Sequence, residues 1–242
     1  MATISTSFGQ ECMEAFREAL PVGTGAAPIA DRLCAIGYCL HLTKGDQLAP
    51  DAHEDRLVFI AHGSAKLAAP PAADAPSGQV LAFHFGGDMI SVLRQSDGDF
   101  RLFALSDCDI VIFPADRFLD IAQGDPAVLR SVLARSLQAL HRSRTRMMQM
   151  GHKSAQQRIA DFLVSMAERL ADCTNGPCAF ALPMSRRDIG DSLGLTIETV
   201  SRQLTELREA GLLETEGRSK VCLSDVAALA RIAGRQSGTS TN

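Results

Sequence analysis

The sequence predicts an α+β chain of two domains, in which a small antiparallel β barrel or sandwich is followed by a long helix and a helix-turn-helix unit with a β wing. Three observations predict it. Between residues 40 and 114, short apolar or alternating runs are punctuated by Gly63, Pro70, Pro71, Gly78, Gly86, Gly87 and Gly98, the rhythm of short strands joined by turns. From Asp125 to about Met150 the apolar period changes to three or four residues and holds without a break. Between Ser185 and Gly211, two segments with helix-capping residues flank Gly194.

At 242 residues the chain exceeds what a single core usually covers, and 46% hydrophobic with 21% charged residues is the composition of a packed protein rather than a disordered one. The net charge of −4 gives no argument for a polyanionic partner, so such an argument has to be local. Locally, residues 126–160 contain no acid and carry Arg130, Arg135, Arg142, Arg144, Arg146, Lys153 and Arg158. A solvated helix face accounts equally well for most of these. No apolar run approaches the roughly 20 residues that span a bilayer. The start, Met1 to Glu11, lacks a basic segment followed by an apolar one. A cytoplasmic protein with no membrane partner is therefore expected. Seven cysteines without a C-x-x-C fit a reducing compartment and do not indicate zinc. No nucleophile–base constellation or phosphate loop supports an enzyme.

Taken in order, residues 11–20 and 29–34 have short helical spacing. Strands are expected at 56–61, 65–69, 80–85, 100–104 and 109–113, with an Ala/Pro-rich hairpin tip at 68–77. The N-terminal helical segment and β domain, residues 1–124, form the candidate sensor. Residues 125–151 follow as one helix, with Asp125 at the N-cap and Pro126 in the first turn. About 25 residues span roughly 38 Å. Leu129, Val132 or Leu133, Leu137, Leu140, Met147 and Met148 make a narrow apolar stripe. Such a seam pairs two helices, with Leu129, Leu133, Leu137, Leu140 and Met147 as the dimer interface, or else packs on its own barrel. Gly151 and the polar residues after it read as a hinge opening the third region, 152–242. There a helix from Ser154 to Ala171 turns Ile159, Phe162, Leu163, Met166 and Leu170 inward, and a strand follows at 180–182.

Residues 185–211 carry the chemistry. Ser185 caps a first helix with Asp188 as its reciprocal partner, and Ile189 and Leu193 face inward. Gly194 turns the chain, Thr196 caps a second helix with Val200, Leu204 and Leu207 on its buried face, and Gly211 ends it. This geometry sets a second helix into a major groove. Glu198, Ser201 and Arg202 then face outward. An arginine can donate twice to guanine, a glutamate can accept from a cytosine amine, and a hydroxyl can meet either kind of base edge. An ion pair between Glu198 and Arg202, one turn apart, is the plain alternative. Residues 212–222 read as a two-stranded wing with Arg218 at the tip. Arg186, Arg187, Arg218 and Lys220 are candidate phosphate contacts, with Thr196 and Thr199 at the helix start. Loss of DNA binding by the winged domain, leaving a ligand- or protein-binding regulator, is the competing function.

The run R-R-D-I-G-D-S-L-G-L-T-I-E-T-V-S-R-Q-L at 186–204, A-G-L-L at 210–213 and F-H-F-G-G-D at 83–88 resemble the CRP/FNR superfamily in its FNR/FixK-like branch. The looser matches K-G-D-Q-L at 44–48 and G-S-A-K-L at 63–67 extend the resemblance over roughly residues 40–235. It implies a cyclic-nucleotide-binding-like β-roll, a dimerisation helix and a C-terminal winged helix-turn-helix on double-stranded palindromic DNA. It also implies that Glu198, Ser201 and Arg202 read TTGAT-like half-sites, and that the roll touches RNA polymerase in an activator.

The departures bear on the signal. Relatives that bind cAMP hold the phosphate with a Gly-Glu and an Arg followed by Ser or Thr; here residues 86–101 contain no Glu and Leu102 follows Arg101. A response to oxygen or redox state is expected instead of one to cAMP. Oxygen-sensing relatives hold an iron-sulfur cluster on closely spaced N-terminal cysteines, whereas only Cys12 precedes Cys34 here. Cys12, Cys34, Cys39 and Cys108 could supply four thiolates, but separated cysteines are ordinarily small core residues. Haem through His41, His53, His62 or His84 is the lesser alternative. Cys173, Cys178 or Cys222 could act as a thiol switch near the reading helix.

Overall fold

A computed structural model of the chain describes residues 6–21, 26–69, 78–94, 100–217 and 219–235; Arg218, most of the expected hairpin tip and the side chain of Met147 lie outside them. The chain divides into two compact units, residues 1–143 and 144–242.

In the first unit, α1 (Thr6–Glu18) and α2 (Ala26–Ile36) precede eight strands among the described residues. These are β1 (Tyr38–Leu42), β2 (Gln47–Leu48), β3 (Arg56–His62), β4 (Ser64–Ala68), β5 (Val80–Phe85), β6 (Met89–Val92), β7 (Arg101–Ala104) and β8 (Cys108–Pro114). Then come α3 (Ala115–Ala122) and α4 (Pro126–His152). The strands form two antiparallel four-stranded sheets, ordered β1-β8-β3-β6 and β2-β7-β4-β5. The five strands expected from sequence are present within a residue or two. The three not foreseen are short or weakly patterned: β2 has two residues, and β1 lies at a sheet edge with only one buried position.

The apolar runs of β3 and β8 follow from burial on both faces. Val58, Ile60, Ile110 and Ile112 point into the roll, packing with Leu42, Leu102 and Cys108. Their neighbours Phe59, Ala61, Val111 and Phe113 point the other way, onto Phe16, Leu33, Phe118, Val128 and Val132 from the four helices. Phe16, Phe113 and Phe118 meet there as close tilted or edge-on rings. Gly63, between β3 and β4, has φ +86°, and a Cβ there would stand 2.2 Å from the Asp107 carbonyl oxygen. No other residue type fits that crossing without moving backbone.

The start of α4 is built as its sequence predicts: the Asp125 carboxylate accepts the Ala127 amide at 2.7 Å. The choice between Val132 and Leu133 is settled by the fold. Val128 and Val132 are buried in the helical core, while Leu129, Leu133, Leu137 and Leu140 are 38, 55, 55 and 46% exposed. The stripe therefore does not pack on its own barrel. Arg135, on the inward side, donates to the carbonyls of Gly87 (2.5 Å) and Ala19 (2.6 Å), so this member of the basic stretch is a structural clamp.

The second unit contains α5 (Ala155–Ala171), β9 (Cys178–Ala181), α6 (Arg186–Leu193), α7 (Ile197–Glu209), β10 (Leu213–Glu216), β11 (Lys220–Leu223) and α8 (Val226–Ile232). The break between helices comes at Lys153 and Ser154, among the polar residues after Gly151; Gly151 itself lies inside α4, which runs to His152. A single glycine costs a helix only about 1 kcal/mol, so it does not end one by itself. Ser154 and Gln157 close a full capping box, which fixes the start of α5. Leu170 is half-buried rather than core, being in the last turn. The wing gains a third strand, in the order β10-β11-β9, because β9 begins at Cys178, two residues before the expected start.

Candidate nucleic-acid interface

Helices α6 and α7 are held by short-range bonds that the sequence specifies. The Ser185 hydroxyl accepts the Asp188 amide, and the Asp188 carboxylate accepts the Ser185 amide at 2.9 Å. Gly194 closes α6 at φ 63°. Thr196 then accepts the Thr199 amide at 3.2 Å, and the Thr196 and Thr199 hydroxyls meet at 3.1 Å.

Tertiary contacts add what the spacing did not reveal. A Cβ on Gly190 would lie 2.6 Å from the Leu195 carbonyl oxygen, so the angle between the two helices depends on this glycine. The Arg158 guanidinium donates to the Leu193 carbonyl at 2.7 Å, a cation at the C-terminus of α6. The buried face of α7 is Val200, Gln203 and Leu207, not Val200, Leu204 and Leu207: Leu204 is half-buried, and Gln203 turns inward, donating to Glu206 at 2.9 Å. A polar residue inside a helix pair is invisible to a hydrophobic period.

The outward face carries Glu198, Ser201 and Arg202. Glu198 and Arg202 are exposed, and Ser201 is half-buried. The Glu198–Arg202 pair does not form; Arg202 instead reaches Glu206 at 3.8 Å. Glu198 is held below the usual carboxylate range by its own backbone amide and the Thr196 hydroxyl, with Arg187 adding a smaller attraction. Arg186 donates to the Ser201 hydroxyl at 3.2 Å, a link between the two helices that the sequence reading missed. Arg186, Arg187, Thr196, Thr199, Ser201, Glu198 and Arg202 are thus gathered around the start of α7. Lys220 is placed differently. It sits opposite Glu216 on the wing and bonds it at 2.6 Å, which raises its pKa. Arg218 lies outside the described residues.

The sensing candidates do not share one site. Cys12, on α1, lies in the helical core with Cys39 packed against that core, and the Cys39 thiol donates to the Gly9 carbonyl at 3.6 Å. Cys108 lies in the roll interior, on the opposite face of the sheet. Along β1 the partner of Cys108 is Leu42, three positions from Cys39. That spacing is about 10 Å of strand, too far for a four-thiolate cluster. Among the described residues, no three His, Cys, Asp or Glu side chains are placed to hold a metal ion. Burial pushes the Cys12 and Cys108 thiols up to about 12. Of the histidines, His41 and His62 both face Asp109, at 2.6 and 3.6 Å, and His84 bonds Asp88 at 3.3 Å. Arg101, at the start of β7, donates to Gln47 at 3.4 Å. No described helix is long and apolar enough to cross a membrane.

An eight-stranded roll, a long helix and a winged helix-turn-helix together define one class of protein. Residues 157–232 match the Crp-like helix-turn-helix domain, and the chain as a whole is similar to transcription regulators of the CRP/FNR family. The relatives it resembles are of the FixK and FNR type. It is 36% identical over 156 residues to the nitrogen fixation regulation protein FixK of Azorhizobium caulinodans, a match covering 64% of this chain and 62% of that protein. It is 36% identical over 138 residues to the transcriptional activator protein FnrL of Cereibacter sphaeroides, covering 55% and 56%. The structure of FixK2 from Bradyrhizobium japonicum superposes with a TM-score of 0.70 at 29% identity, covering 81% of this chain and 97% of that one. The chain thus matches somewhat less than two thirds of the length of these two curated relatives.

Proposed function

We propose that this protein is a cytoplasmic, homodimeric transcription activator that binds a palindromic, TTGAT-like double-stranded DNA site. Two copies pair through Leu129, Leu133, Leu137, Leu140 and Met147 in residues 125–151, which set apart a sensor region at 1–124 and a DNA-binding region at 152–242. The two α7 helices enter successive major grooves about one helical turn apart. Glu198, Ser201 and Arg202 read base edges. Arg186, Arg187, Thr196, Thr199, Arg218 and Lys220 hold the backbone, the last once it releases Glu216. The roll surface meets RNA polymerase, and the signal is oxygen, redox state or a related input rather than cAMP.

One observation carries the reading: Glu198 and Arg202 stand exposed on the first turns of α7 without pairing with one another. A glutamate facing a phosphate backbone is repelled unless a base donor meets it, so its position favours sequence reading over general attraction. The names of FixK and FnrL as regulators or activators support the same conclusion.

The deciding experiment is a binding titration on a TTGAT palindrome and on a scrambled duplex of equal composition, at several salt concentrations. The palindrome is expected to bind at least a hundredfold tighter, with comparable salt slopes on both. Equal affinity for the two duplexes would overturn the proposal.

A further inference from the structure

The turn between α5 and β9 brings together two thiols that the DNA-reading surface does not use. Its sequence is Cys173-Thr-Asn-Gly-Pro-Cys178. Asp172, at φ 47°, ends α5 in the left-handed conformation and turns the chain back, with the Cys173 amide donating to Ala167 at 3.1 Å. The Cys173 thiol lies over the loop it opens, 3.3 Å from the Asn175 carbonyl oxygen and 3.9 Å from that of Pro177. That second contact sets it beside the residue preceding Cys178, close enough for the two thiols to influence one another electrostatically. Gly176, at φ +65°, completes the reversal that folds the two ends together.

The pair is asymmetric. Cys173 is partly exposed, while Cys178 is buried and paired in the sheet opposite Leu223. Cys222 is excluded from the pair by register: it faces Ala179, so its side chain leaves the opposite side of the sheet. The turn is also tied to the rest of the unit, because the Gly176 carbonyl accepts the Val226 amide at 2.9 Å, at the start of α8.

We propose that Cys173 and Cys178 are a reversible dithiol–disulfide site, with Cys173 the sulfur that an oxidant of the hydroperoxide class meets first. The Cys173 thiolate attacks the peroxide oxygen, the O–O bond breaks, and hydroxide leaves to take up a proton as water. Cys173 is then a sulfenic acid. Cys178, as thiolate, attacks that sulfur; the S–O bond breaks, the S–S bond forms, and a second hydroxide leaves to be protonated. In sum, two thiols and hydrogen peroxide give one disulfide and two waters, and a small dithiol reverses the change by exchange. Burial pushes the Cys178 thiol up to about 11, so its attack needs prior loss of a proton and quickens as pH rises.

This chemistry stands apart from the DNA reading and is tested without DNA. The purified full-length protein is treated with hydrogen peroxide, denatured, alkylated and digested with trypsin. Residues 170–186 fall in one peptide containing both thiols, so the bond appears as an unalkylated peptide lighter by two hydrogens, restored by dithiothreitol. Cys222→Ser is expected to leave this unchanged. Cys178→Ser is expected to stop at a Cys173 sulfenic acid that dimedone traps, and Cys173→Ser to leave Cys178 reduced. Full alkylation of both thiols at peroxide doses that oxidise a free surface thiol would overturn the proposal, as would a bond that requires Cys222. Because the turn is bonded to α8 and continues into the wing sheet, oxidation is further expected to change affinity for the palindrome several-fold in the wild type and not in Cys173→Ser. A disulfide with no such change would remove its regulatory role while leaving the DNA reading intact.

Discussion

Helices α4 and α7 each turn one face into their own unit and leave the other unused, but the two spare faces differ in chemistry. On α4 the spare face is apolar, with four leucines at helical spacing between residues 129 and 140, all more than a third exposed. On α7 it carries Glu198, Arg202 and a half-buried serine. Water tolerates the second face and penalises the first by roughly 25 cal/mol for every Å² of apolar surface left uncovered. An exposed leucine ladder therefore calls for another apolar surface, and a second copy of the same helix supplies one with matching length and period. A charged face needs no covering, so its value lies in the positions of its groups. On the proposed function, the same amphipathic period specifies assembly in one helix and recognition in the other.

The largest effect should come from charging the apolar face. Leu133→Glu with Leu137→Glu alters four side chains in a symmetric pair, each worth about 1.5–3 kcal/mol when buried. Self-association measured by sedimentation is expected to weaken more than about a hundredfold, with the melting temperature of the monomer barely changed. A variant that stays dimeric would remove α4 as the pairing element. Next in size is Arg202→Ala. It should cost about 1–3 kcal/mol on the palindrome and far less on scrambled DNA; an equal loss on both would make Arg202 a backbone contact. Gly190→Ala tests whether the angle of α7 matters as much as its side chains. The added methyl meets the Leu195 carbonyl and should lower stability by about 1–3 kcal/mol, read as a fall in urea midpoint, with DNA affinity falling too. The smallest effect, Val132→Ala on the inward face of α4, should cost about 1–2 kcal/mol of stability and leave self-association unaltered. Together with the leucine variant, it separates the two faces of one helix.

Legibility followed the range of the interactions. Ser154, Ser185, Thr196, Gly194 and Asp125 mark helix ends through bonds to residues two to four positions away, so the boundaries of α4 to α7 could be read nearly to the residue. The strands at 56–62 and 108–114 were legible as apolar runs, yet which residues face the roll and which face the helices depends on what covers the second face. The clamps of Arg135 and Arg158 were hidden inside a basic stretch. Their carbonyl partners lie 48 and 116 residues away in one case and 35 in the other. The break falls at the polar residues after Gly151 and not at the glycine, because the cost of one glycine in a helix is small beside the hydrogen bonds on either side of it.

The sequence by itself determined the order of elements, the capped pair α6 and α7, and the residue types offered at the start of α7, because caps, periods and turns act over a few residues. Only the tertiary structure decided that Val132 faces inward while Leu133 faces out, that Gln203 is buried, and that Arg202 reaches Glu206 instead of Glu198. It also decided that Lys220 is paired with Glu216, and that Cys173 and Cys178 share a turn while Cys12 and Cys108 lie on opposite faces of a sheet. The burial of Val132 and Gln203 and the separation of Cys12 from Cys108 depend on which surfaces meet across long stretches of chain, of which a local pattern carries no record; the pairings of Arg202, Lys220 and Cys173 are local, but a period or a spacing offers each of them more than one partner.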